Sequence, residues 1–199
     1  INCLDTAPSY GCSELRLSEL LPEVKHHFHI ITKVGELYDL KYGSRYDFSD
    51  RAITDSVQQS LIRLNRDYLD VVLLHSDGND SFHLKKGALR TLIQLREQGL
   101  VRAVGLSGKT ITGGQLALDQ GADCLMITLN PAQNEEAPLV DLAESYGAGI
   151  LIKKALGSGH LAMNIGKIFR DLFRHKNVTS AIIGTKNPMH LRHNCNQLP

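Results

Sequence analysis

Apolar residues in this chain gather in short, nearly unbroken runs: FHIITK, DVVLLHSD, VRAVGLSG, GILIKKA and SAIIGT. Runs so rich in Val, Ile and Leu mark strands buried on both faces, as in a parallel sheet. Between them lie stretches whose apolar residues recur every three or four positions, the period of an amphipathic helix. The pattern predicts strands at 1–7, 28–34, 68–75, 101–107, 124–129, 149–154 and 179–184. Helices are predicted at 13–24, 48–64, 84–98, 113–120, 136–146, 166–175 and 188–197. Strand and helix alternate through seven units, so the expected architecture is an α/β (β/α)8 TIM barrel. One domain over residues 1–199 would lack the barrel's first strand–helix unit, because INCLDTA reads as a strand already under way.

In such barrels chemistry sits at the carboxyl ends of the strands. Here those ends are polar: Lys33, His75, Ser107, Lys153 with Lys154, and Thr185. Alternation along a strand sends one of Lys153 and Lys154 inward and the other toward the helices.

Composition narrows the function classes. With 199 residues, 42% hydrophobic and 22% charged, the chain can bury a substantial core and shows no bias toward disorder. A net charge of +1 gives no field to gather nucleic acid, and clusters of interleaved basic and aromatic residues are missing. Cys3, Cys12, Cys124 and Cys195 have no zinc spacing, and read as reduced thiols of a cytoplasmic protein. No apolar stretch approaches the roughly 18 residues of a membrane span.

Two clusters invite metal readings that the pattern does not support. His26, His27 and His29 come before or at the start of a strand, at the far end of the barrel. The stretch 76–81 has the Gly, Asn and Asp of a turn without the ligand period of a calcium loop. No metal is expected.

The segment LDTAPSYG supplies a carboxylate at Asp5 and a phenol at Tyr10, and Lys33 ends the next strand. Asp5 can hold Lys33, and a lysine beside the phenol favours phenolate, lowering a pKa that is otherwise about 10. Tyr10 would then be a general acid near neutrality, with His75 hydrogen-bonding the substrate oxygen in the same mouth.

The stretches DTAPSYG-x-SE, ITKVG, SVQQSLIRLNRDYLDVVLLHSDG, LREQGLVRAVGLSGKT and IIGTKNPMHLRHN occur in the order seen in aldo-keto reductases, which the chain resembles over nearly its whole length. The resemblance implies reduction of aldehyde or ketone carbonyls by hydride from NADPH, or NADH. Asp5, Tyr10, Lys33 and His75 would be the catalytic tetrad, with Tyr10 as proton donor. Ser107 and Lys153 would lie beside the nicotinamide, Leu156, Gly157 and Ser158 along the pyrophosphate. Gly184, Thr185, Lys186, Asn187 and His190 would hold the adenosine 2′-phosphate and Asn194 the adenine. Asn187 is a plausible N-cap, with Pro188 at the first helical position.

Several positions depart from that pattern. Gly184 and His190 stand where members carry cations, which leaves Lys186 as the phosphate partner. Met126 replaces a glutamine, Gly108 an asparagine, and Lys153-Lys154 an aromatic residue. Alternatives to the enzyme are a cofactor-binding regulatory module and an inactive remnant of the same fold.

Overall fold

The computed structural model describes residues 1–161 and 164–198. Seven strands form one sheet: β1 (Cys3–Asp5), β2 (His29–Val34), β5 (Leu69–His75), β6 (Val101–Ser107), β7 (Cys124–Thr128), β8 (Gly149–Lys153) and β9 (Val178–Ala181). They lie side by side in that order and every neighbouring pair is parallel. Helices alternate with them: α1 (Ser13–Leu20), α2 (Asp50–Leu64), α3 (Asp80–Lys85), α4 (Ala88–Glu97), α5 (Ile111–Asp119), α6 (Pro138–Ser145), α7 (Ile165–Phe173) and α8 (Pro188–Cys195). This is the architecture of a (β/α)8 barrel, with seven of its strands in this chain.

The period-two alternation of each strand divides the core in two. Ile30, Val34, Val72, Leu74, Val104, Leu106, Leu125, Ile127, Ile150 and Ile152 join the large cluster that also holds the helices' apolar residues. Ile31, Leu73, Cys124, Met126 and Leu151 point the other way and fill the barrel interior. Toward the strands' carboxyl ends the inward positions turn polar, and that change of side chain places the site. The buried Glu14 of α1 accepts from Thr32 Oγ1 at 2.6 Å and from Arg63 Nε at 2.6 Å, pinning α1 to β2 and α2.

Several element boundaries shift from the sequence pattern, and four of the differences have a local physical reason. The helix expected over 84–98 is two, α3 and α4, parted where Gly87 takes φ +99°. α3 starts inside the stretch read as a turn, where buried Asp80 accepts from Lys109 N at 3.0 Å and Thr110 Oγ1 at 2.8 Å. Pro22 converts the end of the first predicted helix into a 3-10 turn, Leu21–Glu23. β9 stops at Ala181: Ile182 N still donates to Ile152 O at 2.8 Å, but the chain leaves β8 at Lys154, φ +54°. Gly184 and Thr185 therefore follow the strand instead of ending it.

A fifth difference bears on the site. An antiparallel hairpin, β3 (Glu36–Asp39) with β4 (Gly43–Tyr46), stands between β2 and α2, where the pattern gave only a connection. Gly35 turns the chain out of β2 at φ +98°, and the Asp39 carboxylate accepts from Lys41 N at 2.8 Å and Tyr42 N at 3.0 Å to close the loop. Among the described residues no helix is long and apolar enough to cross a membrane.

Candidate active site

The four residues expected to form a tetrad come together at the mouth of the barrel. β1 and β2 pair with Asp5 opposite Ile31, which sets Asp5 and Lys33 one pleat apart on the inner side of adjacent strands. Lys33 is 1% exposed, and its Nζ donates to Asp5 Oδ1 at 2.7 Å and to Thr6 O at 2.9 Å. The loop after β1 folds back, Tyr10 N donating to Ala7 O at 3.0 Å, and lays the Tyr10 ring with its centroid 4.8 Å from that ammonium. His75, the last residue of β5, meets the same ring edge-on, centroids 6.1 Å apart.

Burial governs the charges. It pushes the Asp5 carboxyl above its usual range and the Lys33 ammonium below its own, each against the pull of the other. The Tyr10 hydroxyl is pushed up to about 12, by burial first and then by the carboxylates of Asp5 and Glu36. The sequence argument expected lysine to lower it. It does not: burial outweighs the pull of the lysine, and the two carboxylates push the same way as burial. His75 is pushed down to about 4, burial again leading, with Lys33, Lys153 and Lys109 adding to the effect and Glu36 opposing it.

Glu36 was not found from the sequence. It opens the hairpin two residues beyond β2, and its Oε2 lies 2.7 Å from His75 Nδ1. The other oxygen accepts from the Ser44 hydroxyl at 2.6 Å and the Tyr46 hydroxyl at 3.0 Å. The available signal was an acidic residue just past a strand-ending lysine, but its approach depends on a hairpin that the apolar pattern does not reveal.

On the opposite side, His75, Ser107, Met126 and Leu151 occupy matching register positions on consecutive strands. Ser107 is buried, and Met126, 2% exposed, brings no hydrogen-bonding group. Lys153 is the inward lysine: its Nζ donates to Gly108 O at 2.6 Å and approaches Ser107 Oγ at 3.4 Å. Burial holds its pKa down, to about 8. Lys154 is exposed. Beyond β8, Leu156 is buried, and Gly157, Ser158 and Gly159 turn the chain at φ +54°, +57° and +96°.

Asn187 caps α8, its side chain accepting from Met189 N at 2.9 Å, with Pro188 at the first helical position. Asn187 N in turn donates to Thr185 Oγ1 at 3.1 Å. Gly184, Thr185, Lys186, Asn187 and His190 are all exposed around this helix start, whereas Asn194, further along, is buried.

His27 and His29 lie at the other end of the barrel, where the structure adds a carboxylate the sequence did not reveal. Asp70 Oδ1 is 3.2 Å from His29 Nδ1 and its Oδ2 accepts from Ile30 N at 3.0 Å, with His27 close by. Both oxygens thus already bind N–H groups that join β2 to β5.

Comparison with known proteins bears on the family and the fold. The family model described as the aldo/keto reductase family matches residues 1–170. Among solved structures, a Pseudomonas aeruginosa protein described as an aldo-keto reductase is 42% identical, with a TM-score of 0.90 over 99% of this chain and 76% of its own. D-arabinose 1-dehydrogenase of Saccharomyces cerevisiae is 34% identical over 116 residues, which are 56% of this chain and 33% of that protein. L-galactose dehydrogenase of Arabidopsis thaliana is 27% identical over 173 residues, 81% of this chain and 53% of that protein. This chain therefore spans about half the length, or less, of these two curated relatives. By the family model and the near-complete structural match, the chain belongs to the aldo/keto reductase family.

Proposed function

We propose that the protein interconverts carbonyl compounds and alcohols with a nicotinamide cofactor, NADPH or NADH, on small hydroxylated molecules in the cytoplasm. The observation that carries this reading is the constellation at the mouth: a buried Lys33 held by Asp5, a half-exposed Tyr10 ring against its ammonium, and His75 at that ring's edge. Tyr10 keeps its proton throughout the neutral range and can give it to a carbonyl oxygen as that oxygen gains charge. Lys33 stabilises the phenolate left behind, and His75 orients the substrate oxygen by a hydrogen bond.

The residues present fit the phosphate portions of such a cofactor. The start of α8 has an N-cap, exposed surroundings and the cation of Lys186, a suitable anion site. Gly184 would meet nothing within 4 Å of an added Cβ, so a phosphate can approach its backbone. Leu156, Gly157 and Ser158 would flank the pyrophosphate, Ser107 and Lys153 the nicotinamide, and Asn194 the adenine. The bound cofactor would supply or accept the hydride, which no side chain can. Met126 offers the carboxamide no partner, so Ser107 and Lys153 are the polar groups left for that end.

Four free cysteines, Cys124 among them buried, suit a reducing compartment. Fluorescence titration with NADPH and with NADH, followed by a turnover assay over aldoses, simple aldehydes and their alcohols, tests the reading. Saturable binding with turnover that Tyr10→Phe lowers roughly 10²–10⁴-fold is expected. Saturable binding without turnover on any pair would make the chain a cofactor-binding module.

A further inference from the structure

Lys153 gives the mouth a cation without a counter-charge. It ends β8 opposite Thr128 of β7, and its Nζ donates to the carbonyl of Gly108, just past β6, at 2.6 Å. β7 lies between those two strands, so the side chain reaches across the end of β7. Its partners, that carbonyl and the Ser107 hydroxyl at 3.4 Å, are neutral, and among the described residues it forms no ion pair. The carboxylate that most favours its charge is Glu136, whose Oε2 is already engaged by Thr128 N at 2.8 Å. Lys154 and Lys109 add charge of the same sign.

That cation stands between two places the cofactor would have to reach at once. On one side, Lys153 comes shortly before the turn at 157–159 set against the pyrophosphate. On the other, its charge is felt at the tetrad: behind burial and together with Lys33, it keeps a second proton off His75, and it pulls against the burial that raises Asp5. A ring tethered at that turn and carrying hydride to an oxygen beside Tyr10 passes within range of the ammonium. The reduced nicotinamide ring is neutral, whereas the oxidised ring carries a positive charge. Resting on the oxidoreductase reading above, we propose that Lys153 discriminates between the two redox forms of the cofactor: its ammonium repels the oxidised ring, so the chain holds the reduced form more tightly.

From a pool containing both forms, the reduced cofactor would load and the oxidised one would leave, the order that carbonyl reduction needs. In a partly desolvated site, repulsion between like unit charges is large enough to change a ratio of affinities about 10-fold to 100-fold. The discrimination carries its own pH signature. Burial leads in bringing the Lys153 ammonium down to about 8, Glu136 ahead of α6 and Asp80 of α3 favouring the charge, and Lys154 beside it and Lys109 after β6 opposing it. As pH rises through that value the charge is lost and the oxidised form gains. His75 from β5, at about 4, and Tyr10 from the loop after β1, at about 12, titrate outside that window.

The test is isothermal titration calorimetry of the chain with NADPH, NADP+, NADH and NAD+ at neutral pH, with no substrate present. The quantity read is the ratio of oxidised to reduced Kd within each pair, from which any general weakening of the site cancels. Lys153→Met keeps the apolar stem and drops the charge, and should shrink that ratio about 10-fold to 100-fold, chiefly by tightening the oxidised form. Lys153→Arg keeps the charge and should keep most of the ratio. In the unmodified chain the ratio should fall as the pH is raised past about 8, and in Lys153→Met it should stay level. A lysine that only tied β8 to Gly108 would change both affinities alike. A ratio indifferent to Lys153→Met or, should that variant not fold, indifferent to pH in the unmodified chain, would overturn the proposal and leave the cofactor reading standing. No saturable binding of any of the four nucleotides would overturn both.

Discussion

On the β1, β2 and β5 side of the mouth, Asp5, Lys33, Glu36 and His75 touch in oppositely directed pairs, each held by a second group from the backbone or the hairpin. On the α8 side, Thr185, Lys186, Asn187 and His190 stand in solvent, and their hydrogen bonds stay within the turn that forms the helix start. Under the proposed function, proton transfer would account for the first arrangement. The charge that develops on a substrate oxygen is small and brief, so the groups that meet it must be fixed and partly desolvated beforehand. A dinucleotide brings full, permanent charges, and exposed backbone N–H groups at a helix end suffice to hold them. The two sides should therefore respond differently to substitution, deeply and cooperatively on one, weakly and additively on the other.

The largest response is expected at Lys33. Replacing it by Met leaves Asp5 as an unpaired carboxylate in a largely buried site, a kind of change that costs about 3–5 kcal/mol. Urea unfolding should register that loss and turnover should vanish. Asp5→Asn with Lys33→Met should recover part of the stability and none of the activity. If Lys33→Met is as stable as the unmodified protein, the pair is not the keystone of this side.

Tyr10→Phe separates chemistry from structure on the same side. The ring is 47% exposed and its hydroxyl makes no hydrogen bond among the described residues, so stability should change by less than about 0.5 kcal/mol. Turnover should fall roughly 10²–10⁴-fold. Full activity in a panel of aldehydes and alcohols would remove Tyr10 from the proton path.

How much of this was legible in the sequence follows from what each feature depends on. Strand ends could be read because β-branched runs stop where a polar residue begins, and β5, β6 and β8 do end at or just before His75, Ser107 and Lys153-Lys154. Asp5, Tyr10, Lys33 and His75 could then be grouped, because parallel strands bring consecutive carboxyl ends together. Glu36 could not, since a short polar hairpin such as ELYD with GSRY has neither an apolar face nor a burial pattern to announce it. The tyrosine's acidity was misjudged for a related reason. Adjacency predicts the attraction of Lys33, but the balance among burial, Asp5 and Glu36 exists only in three dimensions. The premature end of β9 came from β8 turning away at Lys154, a partner's conformation that SAIIGT cannot record.

His75 provides the next smaller effect, read through pH. Its folded value, about 4, lies below the ordinary 6.5, so between those values the unfolded chain binds more protons than the folded one. Stability should accordingly be full above about pH 6.5 and decline as the pH falls toward 4. His75→Gln, which has nothing to protonate, should lose less stability than the unmodified protein between about pH 7 and pH 5. Equal losses would mean that His75 is not the neutral, desolvated ring described above.

The smallest and most local effect belongs to the α8 side. Lys186 is the cation left at the helix start once Gly184 and His190 occupy positions where a charge would otherwise stand, and being exposed it works against solvent screening. One charged contact to a 2′-phosphate in that setting is worth about 1.4 kcal/mol, a tenfold change in Kd. Lys186→Ala should therefore weaken NADPH by about tenfold and NADH by much less, and raising the salt concentration should narrow the difference. The substitution should leave the urea midpoint unmoved, because nothing in the fold leans on this side chain. Equal weakening of both cofactors in a fluorescence titration would take Lys186 out of the phosphate site. A large loss of stability would contradict the contrast itself, by showing that the α8 side is as tightly coupled as the tetrad side.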